Sequence, residues 1–293
     1  MQDRASIYES ALRRRTILKM GLGVLGSSMV VPEPAQGAGP YSWPDAAAGL
    51  MTLEQAFPPP AGFERRPAPT GSFASWLRGL PMLPKDARVH LFDKREKPRQ
   101  DVHAGVVAID TGDRDLQQCA DAVMRLRAEW QFASGRKDDI AFNVTDGARI
   151  PFKRWAAGER PDATGRIWKA KAARDASYAS LRKYLDFIFS YAGSASLEKE
   201  LVAVPGDAVE AGDVFIKGGF PGHAVLVADT IESAVTKGRR FLLVQSFMPA
   251  QEIHVLRNPI NGDGSPWYAM PSRDLVTPEW TFPPLSLRRW PQA

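Results

Sequence analysis

Residues Gly212–Asp229 read GDVFIKGGFPGHAVLVAD. Two short apolar runs, Val214–Ile216 and Ala224–Ala228, flank the loop Lys217-Gly218-Gly219-Phe220-Pro221-Gly222. Val and Ile dominate both runs and Gly and Pro bound them, which predicts two antiparallel strands. His223 stands where the loop ends and the second strand begins. A strand fixes the backbone of that imidazole, and the glycines beside it leave room for another molecule to approach. Cys119, the single cysteine, falls near a predicted helix start. A helix-borne thiol facing a strand-borne imidazole is the arrangement of a thiol hydrolase.

Composition bounds the remainder. The chain has 293 residues, 44% hydrophobic and 24% charged, inside the globular range. Its 24 prolines exceed the usual share of about 5% and gather toward the ends, which predicts irregular arms around a compact centre. The net charge is +5, of which residues 1–37 supply +2 from five basic and three acidic residues. No Lys/Arg run interleaved with aromatics occurs in the remainder, so a nucleic-acid face is not expected. One cysteine excludes an internal disulfide and leaves either a small buried hydrophobe or a reactive group.

The N-terminus carries Arg13-Arg14-Arg15-Thr16-Ile17-Leu18-Lys19, an apolar run to Val31, then Pro32 and small residues. A basic region, an apolar run of about 12 residues and small residues describe a signal peptide, too short for a membrane span of about 20. The paired arginines resemble a twin-arginine export signal, which implies a periplasmic or secreted protein and the export machinery as a partner. The expected organisation is a leader over 1–37, an irregular Pro-rich arm over 38–71, and one domain over 72–293 with a Pro/Trp-rich tail.

Within that domain, strands are expected at Val89–Phe92, Val102–Ile109, Ile140–Val144, Phe241–Phe247 and Ile253–Leu256. Asp115 and Gln118 fit a capping box, which predicts a helix over Leu116–Phe132 with Cys119 as its fourth residue and Cys119, Val123 and Trp130 on its buried face. Tyr178, Leu181, Leu185, Ile188 and Phe189 predict a second helix over Ala176–Ala192, stopped by Gly193. A helix N-terminus favours the thiolate, although Asp113 and Asp115 oppose it. His223 would take the thiol proton and later protonate a leaving amine. Gln245, polar in an apolar run on the next strand, would orient the imidazole, and a solvent-facing strand residue is an equally good reading of it. The Cys119 N–H and Gln117 would form the oxyanion hole. His103, on a strand, reads as structural. No H-E-x-x-H or comparable spacing indicates a metal, and no cofactor is expected.

The order of helix cysteine, strand histidine and polar residue on the following strand, with GDVFIKGGFPGHAVLVAD, resembles NlpC-type cell-wall peptidases and related papain-like amidases. The likeness covers 113–125 loosely and 212–247 better. It implies an α+β, papain-like fold, with an antiparallel sheet packed against an N-terminal nucleophile helix, and Cys119, His223 and Gln245 as nucleophile, base and orienting residue. The implied function is an exported cysteine hydrolase of amide or peptide bonds, acting on peptide or a cell-wall component. The alternative is a non-catalytic ligand- or wall-binding module on the same fold. DLQQCADAVMRLRAEW, GDVFIKGGFPGHAVLVAD and QSFMPAQEIHVLRNP also give the whole chain a likeness to an uncharacterised family of secreted bacterial proteins.

Overall fold

The longest strand, His223–Ser233, is Val-, Ile- and Ala-rich over most of its length and is buried along it. A strand covered on both faces shows a continuous apolar run rather than an alternating one. The computed structural model describes residues 40–43, 49–262 and 264–291, so the expected leader lies outside the described residues.

The nine strands of the main sheet are β1 Phe63–Arg65, β2 His103–Val106, β3 Val202–Ala203, β4 Val214–Lys217, β5 His223–Ser233, β6 Arg239–Gln245, β7 His254–Leu256, β8 Tyr268–Ala269 and β9 Leu287–Arg289. Their order is β2-β7-β6-β5-β4-β9-β3, with β1 added to the far end of β5 and β8 to β6, and every pairing is antiparallel. In β5, Ala224, Leu226 and Ala228 join the larger core cluster, while Val225 and Val227 join a second cluster on the other side. We call these the helix face and the tail face.

Helix α1 (Phe73–Arg78), helix α2 (Cys119–Ala133) and helix α3 (Tyr178–Tyr191) contribute to the helix-face core. In α2 the Gln118 N–H is held by Asp121 Oδ2 at 3.1 Å, and Cys119, Val123, Leu126 and Trp130 are buried. In α3 the Ser177 hydroxyl accepts from the Ser180 N–H at 3.2 Å, and Leu181, Leu185 and Ile188 form the apolar stripe. Within α2, Arg125 and Glu129 are fully buried and joined at 2.6 Å, with Tyr178 donating to Glu129 at 2.7 Å. Buried Asp229 accepts from Arg65 at 2.8 Å and Arg78 at 2.6 Å, tying β1 and α1 to β5. No helix among the described residues is long and apolar enough to cross a membrane.

This architecture overturns the papain-like α+β expectation. The described chain is mostly antiparallel sheet, about 23% helical, and shows no N-terminal nucleophile helix on a papain-like fold. The expectation rested on a small strand set around His223. Four unexpected strands of two or three residues enlarge the sheet: β1 comes from the arm expected to be irregular, β8 and β9 from the tail expected to wrap the surface, and β3 from the segment after α3. Such segments are too short to carry a legible period. Val89–Phe92 forms isolated bridges rather than a strand. The α2 helix begins at Cys119 itself, because Asp115 accepts from the Ala250 N–H at 2.6 Å and so holds a distant loop instead of capping a helix.

Candidate functional site

The sheet alternates, and that alternation decides the geometry around the expected pair. His223 is in phase with Val225 and Val227, so its side chain enters the tail face. Its ring lies 5.1 Å from Phe247, 5.3 Å from Trp280 and 5.7 Å from Phe282. Cys119 belongs to the helix-face core, with the Ala224 N–H among the groups that act on its sulfur. The two residues therefore meet neighbouring positions of one strand from opposite sides of the sheet.

Their environments differ as well. Cys119 is 7% exposed, and burial, then the Asp121 carboxylate, push its thiol up to about 11. His223 is fully buried, and desolvation lowers it to about 4 against the opposing hydrogen bond it makes to Gln245. The Nδ1 atom of His223 is buried and has no hydrogen-bond partner.

The structure brings His223 and Gln245 together, with Nε2 and Oε1 at 2.9 Å. Gln245 Nε2 donates to Glu279 Oε2 at 2.8 Å, and Lys97 Nζ donates to Glu279 Oε1 at 2.6 Å. That chain of donors assigns the proton of His223 to Nε2. His254 stands 3.4 Å from Gln245 and anchors its own Nδ1 on the Glu252 carbonyl at 2.9 Å. Burial lowers His254 to about 3. His103 lies edge-on to His254 at 6.0 Å and reaches the Ala87 carbonyl at 3.1 Å. The result is a buried polar cluster that fastens the 97 turn and the 279 tail onto the sheet. Among the described residues, no group of three or more His, Cys, Asp or Glu is placed to hold a metal ion.

Gln117 is committed elsewhere. Its Oε1 accepts from Arg125 Nη1 at 2.8 Å, and its carbonyl accepts from the Ser246 hydroxyl at 2.8 Å. Its Nε2 is buried without a partner.

Three open clefts lie on the helix side, at residues the sequence reading had not singled out for function. These adjoining clefts, of about 620, 400 and 330 Å³, share Arg127 and Arg136 as lining residues. The Arg127 guanidinium lies 4.5 Å from the Trp130 ring, 5.2 Å from Phe73 and 5.4 Å from Trp290. Arg127 and Trp130, three apart on α2, were a legible pair on one helix face. The third ring, Trp290, was not, because it comes from 163 residues away in sequence. At the far end of the 330 Å³ cleft, burial raises Glu200 to about 7, and Asn143 Oδ1 is buried without a partner.

No curated protein and no solved structure matches the chain. One family model does, over residues 53–289, a span that includes all nine strands of the main sheet and both faces described above. By that match the chain belongs to the family described as domain of unknown function (4846).

Proposed function

We propose that this chain is a non-catalytic ligand-binding module, working outside the cytoplasm on peptide or a cell-wall component. The observation that carries this reading is the separation of Cys119 and His223 onto opposite faces of β5. A general base has to reach the thiol within about hydrogen-bond distance. A sheet between the two removes that contact. The environment of the thiol argues the same way: at a value of about 11, only roughly 10⁻⁴ of it is ionised at pH 7, and the thiolate is the attacking form. The ligand class is suggested by the likeness of the histidine segment to that of cell-wall peptidases, and the location by the arginine-led N-terminus. The clefts around Arg127 supply a concave surface of the size small ligands use.

The test is thiol reactivity. Native protein mixed with a chromogenic disulfide reagent at pH 7 should react at least ~100-fold more slowly than free cysteine, and at the free rate once unfolded in urea. Reaction of the native protein faster than free cysteine, lost in His223→Ala, would restore the hydrolase reading.

A further inference from the structure

We propose that the cleft around Arg127 binds its ligand through an oxyanion, a carboxylate or phosphate group, with the ligand's body laid against Trp290. This names the ligand chemistry of the binding-module reading and rests on it.

The argument begins with the arginines that line the three clefts. Arg66 is paired with Glu232, Arg78 with Asp229, Arg136 with Asp139, Arg149 with Glu200, and Arg289 with Asp213. Arg127 makes no ion pair and no hydrogen bond among the described residues, the nearby Asp139 being paired with Arg136, and with Arg136 it lines all three clefts. Phe73, Trp130 and Trp290 surround its guanidinium. Aromatic rings attract the cation but accept none of its five N–H bonds. They hold the cation in place and leave its N–H groups without an acceptor. A planar fork of donors held in place, with no acceptor, matches the two oxygens of a carboxylate or phosphate.

Charge supports the same conclusion. Burial, then the neighbouring Arg136, lower Arg127 to about 10, so it stays protonated at neutral pH while partly stripped of water. A cation in that state gains more from an anion than a solvated surface arginine would.

The experiment uses the folded protein and three probes: inorganic phosphate, succinate and phenyl phosphate. Calorimetry gives affinity and stoichiometry. At least one probe should bind saturably, with phenyl phosphate tighter than phosphate because its ring meets Trp290. Comparing succinate with phosphate separates a carboxylate ligand from a phosphate one. Arg127→Gln should weaken binding tenfold or more, about 1.4 kcal/mol, with the melting temperature retained. Arg127→Lys, which keeps the charge and loses the fork, should weaken it severalfold and serves if the Gln variant fails to fold. Arg88→Gln, at an arginine paired with Glu96 outside the clefts, should leave binding intact. No saturable binding by any probe, equal binding by wild type and the Arg127 variants, or an equal loss in Arg88→Gln would overturn the proposal. Failure here leaves an inert thiol inert, so the binding-module reading would survive it; a reactive thiol would sink that reading whatever the cleft binds.

Discussion

Gly222 shows how closely a single position is set at the start of β5. A side-chain carbon there would press on the Ser194 hydroxyl and stand 2.6 Å from the Lys217 carbonyl and 2.7 Å from that of Gly219. Two of those neighbours are backbone atoms of the same loop and cannot rotate away. At Gly238, in the next turn, the nearest atom is the Thr236 hydroxyl at 3.3 Å, the end of a movable side chain. Gly222→Val should therefore destabilise the protein by about 3 kcal/mol, the upper end of ordinary overpacking. Gly238→Val should cost under about 1 kcal/mol. At roughly 2–4 °C per kcal/mol for a chain of this size, thermal melts separate the two variants, and equal melting temperatures would show that the loop tolerates bulk.

Among the elements, the buried cluster between β5, β6 and β7 makes a prediction about acid. His223 is lowered to about 4 and His254 to about 3 by burial, against about 6.5 in an unfolded chain. Between those values the unfolded state takes up protons that the folded state refuses, so stability falls as pH falls from about 6.5 to 4. His223 alone accounts for about 3 kcal/mol of that loss. His223→Asn lowers stability at neutral pH but should flatten the acid slope by one proton, as read from urea unfolding at pH 7 and 4.5. Glu200, raised to about 7, acts in the opposite direction, yet it is common to both proteins and cancels in the comparison. Parallel pH curves for the two would refute the assignment. The same cluster marks the limit of what the sequence made legible. The β4–β5 hairpin follows from two Val/Ile runs bounded by Gly and Pro. The contact between His223 and Gln245 follows from adjacent strands in matching phase. Lys97 and Glu279 lie in a charged turn and a proline-rich tail, 182 residues apart, and nothing local marks them as partners. The phase that sends His223 away from Cys119 was present in HAVLV itself. Which face the α2 helix would cover was not, and that one unknown separated the expected pair.

For the whole molecule, the export reading rests on Arg14-Arg15-Thr16-Ile17-Leu18-Lys19 ahead of an apolar run. Replacing Arg14 and Arg15 by Lys should leave precursor in the cytoplasm by cell fractionation, and undiminished export would count against a twin-arginine route. The sheet adds a consequence in time rather than in space. Strand β9 sits between β4 and β3, and β1 pairs with β5 across 166 to 170 residues of sequence. A ribosome making this chain produces β3 and β4 long before β9, the strand that joins them. Until residues 287–289 have emerged, β3 lacks its partner and β4 has an open edge, the kind of surface on which nascent chains aggregate. Completion of the sheet is therefore a late event relative to synthesis, and the nascent chain spends that interval with its central edge exposed to chaperones and neighbours.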